Sequence, residues 1–345
     1  MLDQILTEWG FSMSSGMPAH IRIVSNWLFM MAGLVAMMVF IGGVTRLTGS
    51  GLSMVEWRPL MGTLPPLSEA EWLRVFTLYQ TSPEFSKVNS DMELAGFKMI
   101  FFWEYVHRLW GRLLGLAFVL PLLYFFMRRM IPAGYGLKLI GLMVLGGMQG
   151  GIGWWMVASG LVDNPAVSQY RLTTHLSMAL LIFLLLLWTG LNLRFGKASL
   201  PTAHGAASFV MLVITIIAGA FVAGLDAGLV YNEYPLMGEG FVPVEYGELG
   251  LTDAFENPAS AQFHHRWLAF VTVIAIACLW WRAAKANIGL SAHLMLVMLG
   301  VQFALGLTTL LLYVPVWAGA LHQLGAVLLL GTIANLLHKM NRGTA

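Results

Sequence analysis

Charge is what this chain lacks most. Only 10% of its 345 residues are Asp, Glu, Lys or Arg, where a soluble domain carries about a quarter. Together with 58% hydrophobic residues, that scarcity excludes an ordinary soluble globule. The net charge of +2 comes with no basic stripe, so nucleic acid is not an expected partner. Cysteine is nearly missing as well. The single Cys278 closes no disulfide within the chain and rules out a cysteine-built metal or redox motif. Residues 1–25 lack a charged segment followed by an apolar one, so no cleaved signal is expected there.

Long apolar runs are what the chain has in plenty. A membrane span needs about 20 of them in a row. Eight such runs are predicted, at 27–45, 98–126, 137–158, 172–193, 205–224, 263–281, 291–312 and 319–337. The fold class is therefore an all-α polytopic membrane protein. Arg128, Arg129, Lys138, Arg194, Lys197, Arg282, Lys285, Lys339 and Arg342 all fall on one side of these runs. By the positive-inside rule that side is cytoplasmic, and both termini lie there. The opposite side carries two long loops, 46–97 and 225–262, the second with seven acidic residues and no Lys or Arg. Loops of that length are usually functional. Within the first, 68–80 is amphipathic and predicts an interfacial helix, with Ser68 and Glu71 placed as a capping box.

The chain repeats itself. PLMG occurs at 59–62 and 235–238, EYVHR at 104–108 answers QFHHR at 262–266, Gln149 and Gly153 answer Gln302 and Gly306, and TTHL at 173–176 answers ALHQ at 320–323. The order is kept while the offset shrinks from 176 to 147. Two pseudo-symmetric four-helix bundles are expected, residues 1–200 and 201–345, running in parallel about an axis near the membrane normal.

Of nine histidines, His20, His204, His293 and His338 fall near cytoplasmic span ends and read as wetted interfacial residues. His264 is set aside because His265 is the one in register with His107. That leaves His107, His175, His265 and His322, two per half, each near the outer end of a span. A lone histidine in a span is commonly a packed core residue. Two on facing helices in each half meet the need of a six-coordinate haem for one imidazole on either face. Zinc or copper would want three or four clustered ligands and is the weaker reading. Arg108 and Arg266 follow the paired histidines and are candidates for haem propionates, or else snorkel to headgroups; Arg46 and Arg112 share that reading. Gly146, Gly147, Gly150, Gly151 and Gly153 remove bulk, either for close helix packing or for a flat ring.

Glu104 breaks the repeat. It lies three residues before His107, on the same helical face, and its counterpart is Gln262, which cannot ionise. A carboxylate in one half alone suggests that this half does chemistry, as base or nucleophile. The structural alternative is an ion pair with Arg108 at i, i+4.

On these residues the sequence resembles the haem A synthase family. The resemblance spans nearly all eight runs, most distinctively GGVTRLTGSGLSMVEWRPLMGTLPP at 42–66, EYVHRLWGR at 104–112 and GGMQGGIGWWMVASGL at 146–161. It implies an oxidoreductase of the bacterial inner membrane, closest to the proteobacterial and mitochondrial branch. Such an enzyme oxidises a methyl group of haem O to the formyl of haem A for cytochrome oxidase, with oxygen from water. By position it implies that His265 and His322 hold a haem b cofactor through its iron, and that His107 and His175 hold the substrate haem. Glu104 would be the catalytic carboxylate. It implies haem O synthase and cytochrome oxidase assembly factors as partners, haem sites near the outer face, and a membrane electron acceptor of unspecified kind; a homo-oligomer is left open. Some relatives carry a cysteine pair in the first outer loop, and none is present here. Two other classes remain: a quinol-linked bis-histidine b-type cytochrome that only transfers electrons, and a haem transporter. Neither gives a reason for the Glu104/Gln262 asymmetry.

Overall fold

The computed structural model describes residues 17–56, 64–286 and 288–342. The first PLMG copy at 59–62 and residues 1–16 lie outside them. Eleven α-helices are described: α1 Ala19–Leu47, α2 Glu69–Gln80, α3 Pro83–Lys87, α4 Leu94–Met127, α5 Gly136–Ala158, α6 Gln169–Phe195, α7 Ala203–Gly224, α8 Asp253–Glu256, α9 Pro258–Lys285, α10 Leu290–Leu311 and α11 Val316–Asn341. All except α2, α3 and α8 are long and apolar enough to cross a membrane. They coincide with the eight predicted runs and extend most of them by a few residues. Local capping explains part of the extension. The Asn257 side chain accepts from the N–H groups of Ala259 and Ser260, with Pro258 at the first helical position, so the polar PASAQ segment joins α9 ahead of its apolar run.

The packing order positions the site. In the first half α1 packs on α4 and α6, and α5 on α4 and α6; in the second, α7 packs on α9 and α11, and α10 on α9 and α11. Contacts of α11 with α1 and α6, and of α6 with α7, join the halves. Burial follows: 56% of the apolar window of α1 and 50% of that of α11 are buried inside the protein, against 6% for α5. The core therefore sits along the seam, and α5 is the least buried of the membrane-length helices.

The predicted interfacial helix is α2, and Ser68 caps it by accepting from the Glu71 N–H at 3.2 Å. The Glu71 carboxylate turns to Arg74 at 2.7 Å, and Arg74 also reaches Glu56 at 3.3 Å. The apolar side of α2 covers the start of α4 through Trp72, Phe76 and Tyr79, which meet Phe97 and Phe101. Trp72–Phe101 and Tyr79–Phe97 ring centroids are each 5.1 Å apart. Phe97, Phe101 and Glu104 recur at helical spacing on one face, so this aromatic cap lies on the face of α4 that carries the acid.

The second long loop is held by Asp253. Burial pushes its carboxyl up, but donors from Leu249, Gly247 and Asn257 outweigh that and hold it down at about 2. Gly247 N–H donates at 2.9 Å and Leu249 N–H at 3.1 Å. A depressed acid contributes stability above its unfolded value near 3.8 and loses it as pH falls through about 2. Protection of the Gly247 and Leu249 amides, measured against their intrinsic exchange at each pH, should therefore be high at neutral pH and fall below pH 4; protection that does not change with pH would contradict this anchoring.

Candidate functional site

The four selected histidines lie on the four helices that the pairing requires: His107 on α4, His175 on α6, His265 on α9 and His322 on α11. Each ring rests against a glycine of the preceding membrane helix. A Cβ placed on Gly42 of α1 would lie 3.1 Å from His107 Cε1; on Gly153 of α5, 2.9 Å from His175; on Gly219 of α7, 2.8 Å from His265; on Gly306 of α10, 2.9 Å from His322. These are cradles that any side chain would fill. Of the α5 glycines read from the sequence, only Gly153 is of this kind. Gly146, Gly147, Gly150 and Gly151 would meet nothing within 4 Å, so close helix packing does not account for them. Gly42 and Gly219 were not singled out by sequence; their signal is that each stands on the helix before an HR motif.

The ring nitrogens are then oriented. His265 Nδ1 lies 3.1 Å from the Thr215 carbonyl. A carbonyl only accepts, so Nδ1 carries the proton and Nε2 is left with its lone pair, the form that ligates a metal. Gln149 holds His175 through Nδ1 at 3.2 Å and the backbone carbonyl at 3.0 Å. Gln302 holds His322 in the same way, at 3.1 and 3.0 Å. His107 is the exception: its Nδ1 is buried without a hydrogen-bond partner.

The His265 and His322 ring centroids are 6.5 Å apart, at 81°. Two collinear metal–imidazole bonds of about 2 Å each, plus the two ring radii, come to roughly 6–6.5 Å. By distance the two rings can share one metal; His265 has its Nε2 free, whereas the Gln302 N–H donates to His322 Nδ1, so His322 must shift its proton from Nε2 to ligate. Among the described residues no group of three or more His, Cys, Asp or Glu could hold a metal ion. His107 and His175 are close enough to interact electrostatically.

Glu104 is buried, 3% exposed. Its Oε2 accepts from Ser53 Oγ and from Met54 N–H, both at 2.7 Å, and its Oε1 accepts from Arg108. The ion pair foreseen as the structural alternative is therefore present, alongside two further donors. Arg108 also donates to the carbonyls of Met54 at 2.9 Å and Glu56 at 3.2 Å. In the second half Arg266 donates to Gln262 Oε1 at 3.2 Å and to the carbonyls of Tyr231, Glu233 and Leu236, and the Gln262 amide donates to the Tyr231 carbonyl at 3.0 Å. The loop over the first half offers N–H and O–H to position 104; the loop over the second offers a carbonyl to position 262. Both arginines thus lock a long loop to a histidine helix. Arg46 pairs with Asp226 at 2.9 Å, where α1 and α7 end.

A cavity of about 390 Å³ reaches this point from the loop face, lined by Ser53, Met54, Glu56, Arg74, Leu78 and Arg108 among others. Its lining includes all three groups that donate to Glu104. Sequence reasoning found the acid but not Ser53 and Met54, about fifty positions away in a loop without periodicity. It also misjudged His338, which is not wetted: it is 2% exposed, bonded to Asn192 at 3.2 Å and packed edge-on to Trp188. His264 stacks on Tyr246 with centroids 5.5 Å apart.

The cradles supply a prediction. Gly219→Ala and Gly306→Ala should tilt the imidazoles and weaken haem retention by about 10–100-fold, the usual scale for disturbing a ligand's orientation. Absorbance of the purified protein reads this out. Gly150→Ala, which meets nothing within 4 Å, should leave it unchanged.

Paired histidines on neighbouring helices, with one buried acid beside one pair, sit within a bundle of eight membrane-length helices, the class of a polytopic helical membrane protein. The sequence profile of the cytochrome oxidase assembly protein family COX15-CtaA matches residues 25–334. The chain is 44% identical over 333 residues to "Heme A synthase" of Nitrosospira multiformis, covering 92% of this chain and 94% of that one. It is 43% identical over 338 residues to "Heme A synthase" of Paramagnetospirillum magneticum, covering 94% and 95%, and 46% identical over 329 residues to that of Granulibacter bethesdensis, covering 92% and 87%. The chain belongs to the COX15-CtaA family.

Proposed function

We propose that this protein is a haem A synthase that oxidises the ring methyl of haem O to a formyl group, with water as the source of oxygen. The observation that carries the reading is the buried Glu104, held by three donors beside His107, with an amide at the matching position of the other half. Residues 1–200 form the substrate half and 201–345 the cofactor half, as duplicated bundles. Both termini are cytoplasmic and the long loops face outward, which puts the pockets near the outer side of a bacterial inner membrane.

His265 and His322 would hold haem b, which supplies one-electron redox chemistry when bound. The Thr215 carbonyl sets His265 in the ligating tautomer, and Gln302 holds the His322 ring in place, with its Nε2 proton to be given up when the group binds. His107 and His175 receive haem O, and the missing Nδ1 partner of His107 suits a ligand that must release its product. Making a formyl from a methyl with water frees four electrons and four protons. The electrons leave to a membrane acceptor. Glu104 acts on the reacting carbon as base or nucleophile; Arg108, Ser53 and Met54 aim its carboxylate, and the cavity over them admits water. Arg108 and Arg266 stand near enough to the ligand helices to serve propionates.

Co-expression with a haem O-producing enzyme, followed by pigment extraction, tests the reading. Formyl-haem should accumulate only when this chain is present. Unchanged haem O beside full haem b loading would favour a plain b-type cytochrome.

A further inference from the structure

The glycines of α5 divide by face. Gly153 cradles the His175 ring and Gln149 donates to it, so the side of α5 that carries these two residues faces the first histidine pair. A helix returns to one side every three to four residues. That places Gly146 and Gly150 on or beside the same line, and Leu142 and Leu139 further along it. Both leucines are buried in the core. Between them and the histidine, a Cβ on Gly146 or Gly150 would meet nothing within 4 Å. The inward line of α5 is therefore packed toward its start and open for about two turns beside the imidazole, a length of roughly 10 Å.

The second half fills the same place. The register that matches Gln149 with Gln302 and Gly153 with Gly306 sets Leu299 against Gly146 and Phe303 against Gly150. Leu299 is buried in the core with Met295 and Ala292, and Phe303 packs edge-on to Tyr234, centroids 6.5 Å apart. Two histidines held alike thus have different neighbours: two large apolar side chains in one half, open space in the other. The first half forgoes the contacts that such side chains make. It does so beside the pair in which His107 keeps a buried Nδ1 without a partner, a nitrogen that itself points to a ligand. After Lys138, α5 carries no charged side chain, so what lies along it is apolar. Gly146 and Gly150 are both exposed, so a long chain can reach them without a change of fold.

We propose that the line of α5 at Gly146 and Gly150 seats the isoprenoid tail of the substrate and makes the first half select haem O over haem b. This rests on the haem O reading and adds a selectivity site to it. Haem O carries a long isoprenoid alcohol side chain where haem b has a vinyl group. In the second half Leu299 and Phe303 occupy the matching positions, which suits a resident haem without a tail. Binding here is apolar burial; no bond forms or breaks.

The test titrates the purified full chain, carrying its resident haem, with haem O and separately with added haem b, and reads uptake by absorbance. Uptake that disappears in His107→Ala is assigned to the first half. There the wild type should bind haem O about tenfold or more tightly than haem b. Gly146→Leu installs the residue found at 299. It should weaken haem O uptake by about tenfold or more while uptake of added haem b and the resident haem stay unchanged. Gly147→Leu, about 100° further round the helix, should alter neither. Equal wild-type affinity for the two haems, or no uptake of haem O, overturns the proposal even if Gly146→Leu fails to fold. An unaltered preference in a folded Gly146→Leu overturns it as well, and so does an equal loss in Gly147→Leu. A wild type that shows the preference, and loses it in Gly146→Leu, but makes no formyl-haem in cells producing haem O supports the tail site and overturns the haem O chemistry instead.

Discussion

Glu104→Gln should leave haem b bound and cut formyl-haem by roughly 10²–10⁴-fold, the range associated with a positioned acid or base. The size of the loss follows from the donors. Arg108, Ser53 Oγ and Met54 N–H all point at this carboxylate. A glutamine accepts through one oxygen only, so its NH₂ must face one of these donors, at a cost of about 1–3 kcal/mol. The variant therefore loses both its ionisable oxygen and its fixed aim. Ser53→Ala separates the two effects. It removes one neutral donor, keeps the charge, and should reduce the rate by no more than about tenfold. Extracted pigments from cells expressing each variant give both numbers. Full activity in Glu104→Gln would sink the assignment of chemistry to the first half.

His265→Ala and His322→Ala should each strip the stably bound haem. The two rings, with centroids 6.5 Å apart, would hold the haem together, and either variant would keep only one of them. His107→Ala and His175→Ala should keep that haem and lose conversion of haem O. The absorbance of the reduced, purified variants distinguishes the two sets. If haem survives both changes in the second half, the resident group sits elsewhere and the roles of the halves must be exchanged.

The eight spans were legible because a run of apolar residues the length of a bilayer has few other interpretations. Their ends were less so. The start of α9 depends on the Asn257 cap and Pro258, polar features that hydropathy alone discounts. The histidine pairs were legible through register, since the HR motifs and the Gln149/Gln302 match place equivalent side chains at equivalent depths. What sequence could not show is what each ring leans on. Gly42 and Gly219 look like ordinary small residues until the facing imidazole is in place. Thr215 acts through its carbonyl, which every residue has. Ser53 and Met54 come to the acid from a loop, where no period links them to α4. His338 shows the opposite error: a position at a span end does not make a side chain wet when the neighbouring helix supplies Asn192 and Trp188.

The opposed hydrogen-bonding character of the two long loops constrains how such a molecule can evolve. Glutamine and glutamate codons differ by a single nucleotide, so an acid at 262 is one mutation away. There it would set its oxygens against the Tyr231 carbonyl, which now receives the Gln262 amide, and lone pairs would repel. A second reactive centre therefore requires the neighbouring main chain to be rebuilt together with the side chain. The difference between positions 104 and 262 is in this way held by backbone as well as by side chain.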